Sequence, residues 1–174
     1  MVKIEKLKRI YVLGPEGTNS EKAIINYLRK NNLEIEVLFT DTLENAAEKV
    51  IKDKESAFLG CVAYPNLHNL IFPYLDILSI EEVFLEETYE MVLASNSKDN
   101  IETIATHPAP AYLCDSSLNK CFSTSNTDAA QKCLDNTVDA CITTTEAIKN
   151  TDLLVLDNYG SFPMGFTIHM HKNI

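Results

Sequence analysis

Leu13-Gly14-Pro15-Glu16-Gly17-Thr18-Asn19-Ser20-Glu21 is the stretch on which the reading of this chain turns. Ile10-Tyr11-Val12-Leu13 is apolar and reads as a strand running into a Gly-Pro-x-Gly turn. Gly14 and Gly17 tolerate backbone angles that other residues resist, and Pro15 stiffens the turn. Asn19 or Ser20 can then cap a helix, with Glu21 adding negative charge to its first turn. A strand end, a glycine turn and a helix start thus meet at one spot. Two readings stay open there: a tight connection, or a cradle of backbone N–H groups for a carboxylate or phosphate. No Lys-Ser/Thr follows the glycine, so the stretch is not a Walker loop, and no G-x-G-x-x-G marks a dinucleotide site.

Outward from this turn the pattern is α/β. Strand 9–13 is followed by a helix from Ser20 to about Asn31, with Ala23, Ile24, Tyr27 and Leu28 on one face. Glu34 to Phe39 reads as a strand, and a helix starts at Asp41-Thr42-Leu43-Glu44 with Leu43, Ala46, Ala47, Val50 and Ile51 aligned. Phe58 to Ala63 is wholly apolar, as in a buried parallel strand. Ile77–Leu85 and Tyr89–Ala94 are two further strands that carry the chain into a second lobe. There, strand Ile101–Thr106 leads into His107-Pro108-Ala109-Pro110-Ala111, where a helix is expected to begin. Ser125-Asn126-Thr127-Asp128 is a capping cluster before helix Ala129–Leu134. Strand Ala140–Thr143, a short helix Thr145–Ile148, and strands Leu153–Leu156 and Gly165–Met170 complete the chain. The expected domains are 8–84 plus 160–174 for lobe 1 and 85–159 for lobe 2, with a cleft between them. That arrangement resembles the two-lobed architecture of the type II periplasmic-binding-protein fold.

The 174 residues carry a net charge of −10, which argues against a nucleic-acid partner. No apolar run reaches the length of a membrane span. The basic start, Met1-Val2-Lys3-Ile4-Glu5-Lys6-Leu7-Lys8-Arg9, lacks the apolar region of a signal peptide, so a cytoplasmic protein is expected. Only Arg9 and Arg29 are arginines, and both are read as surface residues, which leaves no guanidinium clamp for an anion. The five cysteines, at 61, 114, 121, 133 and 141, contain no C-x-x-C pair and read as reduced, mostly buried thiols. His68, His107, His169 and His171 complete no zinc pattern with them, and no metal is expected.

Two more segments hold groups suited to chemistry. Thr106-His107-Pro108 sets a hydroxyl and an imidazole at a strand end; they can bind a carboxylate and move a proton, or serve as a cap and a structural histidine. Thr124-Ser125-Asn126-Thr127 offers several small donors before a helix, as a ligand site or as a redundant cap.

Leu-Gly-Pro-Glu-Gly-Thr-x-Ser-Glu at 13–21 resembles the opening of the prephenate dehydratase family. Thr106-His107-Pro108 and Thr124-Ser125-Asn126-Thr127 are similar to that family's Ser/Thr-His-Pro and Thr-Ser-x-Thr segments. Two landmarks depart. The family's Thr-Arg-Phe, which carries its catalytic threonine and anion-binding arginine, is absent, and Ser161-Phe162-Pro163-Met164 stands in its place. The family's Pro-Ile-Glu-Asn is replaced by Cys61-Val62-Ala63-Tyr64-Pro65-Asn66, without the glutamate. Both changes resemble the non-aromatising prephenate decarboxylases of bacilysin-type antibiotic biosynthesis. That resemblance implies the dehydratase catalytic-domain fold, a cytoplasmic lyase that needs no cofactor, prephenate as the small-molecule partner, and a homodimer. The proton donor is unassigned; its candidates are Thr106, His107, Tyr64 and Met164. Substrate binding is expected at Thr18, Asn19, Ser20, Thr106, His107, Thr124, Ser125, Asn126, Thr127, Pro163 and Met164. With the sequence ending at Ile174, no ACT regulatory domain is expected. A divergent dehydratase using another hydroxyl such as Thr167, and a non-catalytic carboxylate binder, are the alternatives.

Overall fold

A computed structural model describes residues 4–172. The expectations that touch Met1–Lys3 and the last two positions of lobe 1 lie outside the described residues. In chain order the elements are β1 (Arg9–Leu13), α1 (Asn19–Lys30), β2 (Glu36–Thr40), α2 (Leu43–Lys52), β3 (Ser56–Cys61), β4 (Leu78–Glu87), β5 (Met91–Ser95), β6 (Thr103–Thr106), β7 (Asn119–Phe122), α3 (Asn126–Leu134), β8 (Ala140–Thr144), α4 (Thr145–Ile148), β9 (Leu154–Gly160) and β10 (Pro163–His171). Contacts divide the chain into two units, 4–87 with 163–172, and 88–162. The divisions fall where β4 ends and where β10 begins.

The first unit holds a five-stranded sheet in the order β2-β1-β3-β10-β4. β1 runs parallel to β2 and β3, whereas β10 is antiparallel to β3 and β4. The sheet is therefore mixed, and β3 has a parallel neighbour on one side only. On one face Ile10, Val12, Leu59, Phe166 and Ile168 meet Ala23, Ile24 and Leu28 of α1. On the other face Phe58 meets Leu43, Ala46, Ala47 and Val50 of α2. The two helices form because their apolar residues recur at helical spacing beneath Thr18 and Thr42 caps.

The second unit repeats the plan, with order β7-β6-β8-β5-β9. β6 is parallel to β7 and β8, and β5 is antiparallel to β8 and β9. Ala129, Ala130 and Cys133 of α3 pack on Val92, Ala94, Ala105 and Cys141. Met91, Ile104, Cys114, Ala140 and Ile142 form the core of the opposite face.

Two local expectations are corrected. β3 ends at Cys61, and Val62 and Ala63 lie beyond it, exposed, in a turn closed by the Tyr64 N–H donating to Cys61 O. No α-helix follows His107: the segment forms a 3-10 turn over Ala109–Leu113. Pro108 and Pro110 lack N–H donors and disfavour the α conformation of the residues before them, so the chain closes shorter turns instead.

Candidate functional site

The functional candidates gather at strand ends within each unit. In the first, the turn after β1 ends at Thr18, Asn19 and Ser20 open α1, and Tyr64 follows the neighbouring parallel strand β3. β10 starts beside the end of β3, with Phe166 opposite Cys61, so Pro163 and Met164 lie at the same edge of the sheet. In the second unit, Thr106 ends β6 and His107 follows it, and Thr124 to Thr127 follow its parallel neighbour β7. The carboxyl edge of an open α/β sheet is where such folds bind ligands.

The two helix starts are built alike. Thr18 caps α1 by accepting from the Glu21 N–H at 3.3 Å, and its own hydroxyl points to Leu13 O at 3.4 Å. Glu21 turns back and accepts from the Gly17 N–H at 2.5 Å, with Gly17 at φ +80°. Ser125 caps α3 by accepting from the Asp128 N–H at 3.0 Å. Asp128 in turn accepts from the N–H and the hydroxyl of Thr124, at 2.8 and 3.1 Å. Lys132 lies 3.2 Å from Asp128 and also donates to Phe122 O and Ser123 Oγ, pinning the loop. The Thr124 N–H holds the Asp128 carboxyl below the ordinary aspartate range, helped by Lys132. Residue by residue, Thr18-Asn19-Ser20-Glu21 matches Ser125-Asn126-Thr127-Asp128.

This geometry revises the expected anion cradle. Each helix start already contains an internal carboxylate, Glu21 or Asp128, bonded to the N–H preceding the cap. Thr18 and Thr124 direct their protons inward, so neither offers one to a ligand anion. Ser125 Oγ accepts from the backbone and keeps its proton to give. Asn126 contributes its carbonyl to the Thr143 hydroxyl at 2.7 Å, while its Oδ1 is buried without a partner among the described residues. The signal for the internal acids was present in the sequence as two Ser/Thr-x-x-acid capping boxes. Thr18→Ala and Ser125→Ala are each expected to cost about 1 kcal/mol of stability through lost capping. Urea unfolding midpoints check this.

The acid–base candidates are constrained as well. Thr106 is fully buried and its hydroxyl donates to His107 O at 3.0 Å, which takes it out of reach of a ligand. His107 Nδ1 accepts from the Ala109 N–H at 3.2 Å, so the ring is the neutral tautomer with Nε2–H available. Burial lowers its pKa and reinforces that state. Tyr64 gives its phenol proton to Glu44 at 2.7 Å, and burial together with Glu44 pushes its pKa up to about 12. Met164 is half-buried and packs against the α1-side core of the first unit, whereas Pro163 is exposed.

A residue pair not singled out for binding lies one step below the end of β3. Thr167 Oγ1 is 2.8 Å from His169 Nε2, and both are buried. Gly60 makes room for them: a Cβ there would stand 2.6 Å from Thr167 Oγ1 and 3.1 Å from His169 Nε2. Gly60→Ala is therefore expected to destabilise the protein by about 2 kcal/mol through overpacking, measurable by thermal unfolding. Among the described residues no cluster of three or more His, Cys, Asp or Glu is arranged to hold a metal. Among the described residues no helix is long and apolar enough to cross a membrane.

Taken together, two mixed sheets flanked by helices, with candidate groups at their carboxyl edges, make an α/β fold similar to that of Venus-flytrap, periplasmic-binding-like domains of known structure. The family described as prephenate dehydratase matches residues 10–159, and the chain belongs to that family. Among solved structures, prephenate dehydratase from Arthrobacter aurescens in complex with L-Phe superposes with a TM-score of 0.72 at 17% identity, covering 95% of this chain and 61% of that one. The enzyme from Staphylococcus aureus gives 0.65 at 16% identity, covering 93% and 66%. The periplasmic VFT2 domain of Bordetella pertussis BvgS gives 0.56 at 12% identity, covering 100% and 84%. The chain thus spans somewhat under two thirds of the length of the dehydratases it resembles. No curated protein matches the chain.

Proposed function

We propose that this protein is a lyase that takes prephenate and removes its ring carboxyl group as carbon dioxide while keeping the 4-hydroxyl, giving a dihydro-4-hydroxyphenylpyruvate. The carbon–carbon bond to the ring carboxylate breaks, its electron pair enters the ring diene, and a proton from water or from the substrate's own carboxyl adds to a ring carbon. Aromatisation needs an acid that helps the hydroxyl leave.

The observation that carries this reading is the shortage of such an acid. Tyr64 holds its proton against Glu44, His107 is neutral, Thr106 is buried, and the chain has no Thr-Arg-Phe. Donors suited to carboxylates remain at Ser20 in one unit and at Ser125, Thr127 and His107 Nε2–H in the other; Asn19, Asn126, Pro163 and Met164 complete the set assigned to substrate. Ser125→Ala is expected to lower kcat/KM by the equivalent of about 1–3 kcal/mol, because it removes a donor as well as a cap. Thr18→Ala, whose proton points to Leu13 O, should lower it less. We assign the enzyme to the cytoplasm, to antibiotic-type secondary metabolism, and to a homodimer.

A dehydratase reading has one observation in its favour, the Thr167–His169 pair. Mass analysis of the product separates the two: loss of carbon dioxide alone supports the decarboxylase, and loss of carbon dioxide plus water supports the dehydratase. Binding of prephenate without turnover would instead mark a sensor module.

A further inference from the structure

We propose that Cys133 and Cys141 form a paired-thiol modification site, which a low-molecular-weight disulfide oxidises to a disulfide tying α3 to β8. The inference is independent of the reaction on prephenate. Cys133 lies in the last turn of α3 and Cys141 is the second residue of β8; both are fully buried. Cys141 sits opposite Ala94 in the antiparallel pairing of β5 with β8. Cys133 Sγ lies 4.0 Å from Ala94 O and 3.6 Å from Asp139 O. The two side chains therefore converge on one residue of β5.

Each thiol acts on the other's titration: Cys141 lowers the Cys133 pKa and Cys133 raises that of Cys141, while the Asn96 backbone further favours the Cys133 thiolate. Nothing bulky intervenes, since Ala94, Ala105, Ala129 and Ala130 line the same helix–sheet contact. Cys121 is the alternative partner for Cys141, but Ala105 pairs with both across β6, which puts the two cysteines two strands and about 9.5 Å apart. That exceeds the Cα separation a disulfide spans.

The chemistry balances as thiol–disulfide exchange. The Cys133 thiolate attacks the small disulfide RS–SR, forming Cys133–S–SR and releasing RS⁻. Cys141, its proton lost to solvent, then attacks the Cys133 sulfur, makes the Cys133–Cys141 bond and expels the second RS⁻. Two protein thiols lose two protons and two electrons, and the small disulfide becomes two thiols. Because both sulfurs are sealed from water, attack waits for local opening of α3, so the rate follows that opening.

The test uses the full chain with oxidised glutathione, followed by alkylation and peptide mapping. Cleavage after Lys132 and Lys149 leaves both cysteines in one peptide. That peptide is expected two hydrogens lighter and unalkylated, and restored by dithiothreitol. Cleavage before Asp135 and Asp139 should then leave fragments that stay joined. Urea too dilute to change the native circular dichroism should speed the reaction several-fold. Cys133→Ala, matched in size to its neighbours, should abolish it, and so should Cys141→Ser. Glutathione adducts on Cys61, Cys114 or Cys121 with Cys133 and Cys141 still reduced, or closure only after global unfolding, would overturn the assignment.

Discussion

Phe58→Ala is expected to remove about 3–5 kcal/mol of stability, the range for truncating a large ring inside a core. Phe58 lies in the middle of β3, the central strand of the first unit's sheet, and is fully buried. Its ring packs against the α2 residues Ala46, Ala47 and Val50, and stacks on the imidazole of His169, with centroids 4.4 Å apart and planes 9° apart. Alanine would leave a cavity that the paired strands on either side cannot close. It would also leave the His169 ring without its stacking partner. Urea unfolding of the two proteins measures the loss, and a difference below about 1 kcal/mol would mean that α2 and the sheet repack freely around the gap.

The second large effect is a loss of stability on acidification, centred on His169. Burial lowers its pKa from 6.5 to about 4. The folded state therefore favours the neutral ring and the unfolded chain binds the proton first. The sign follows: this contribution is complete above pH 6.5, declines as pH falls below that value, and is gone once pH passes below about 4. Over that interval the loss is on the order of 3 kcal/mol, in addition to the general effect of protonating carboxylates. The group meets Thr167 Oγ1, two residues away along β10, and the Phe58 ring on β3, and neither side chain supplies a negative charge to stabilise an imidazolium. Unfolding free energies measured from pH 7 to pH 4 should fall more steeply for the native protein than for His169→Gln. Parallel curves would remove His169 from the account.

Much of the fold was legible because short local rules agree with one another here. The β-α-β-α-β start could be read from apolar runs and from the Thr18 and Thr42 caps, and the structure keeps each of those elements within a few residues. The second unit was legible at Ser125, where the cap and the small residues Ala129 and Ala130 leave little choice. What could not be read was pairing. Nothing local says that β10 slots between β3 and β4, turning the sheet mixed, because partner choice depends on the whole chain. At His107 the two prolines, plain in the sequence, override the apparent helix start. The candidate residues were legible as types at positions. The commitments of their protons were not: Tyr64 to Glu44, Thr124 to Asp128, and Thr106 to its neighbour's carbonyl all depend on where side chains from other elements arrive.

The most direct test of the proposed chemistry is the fate of the 4-hydroxyl oxygen. Prephenate labelled there with oxygen-18, incubated with the purified protein, should give a decarboxylated product that keeps the label, with none appearing in water. Phenylpyruvate as the main product, with the label released into the solvent, would contradict the proposal and make the protein a dehydratase.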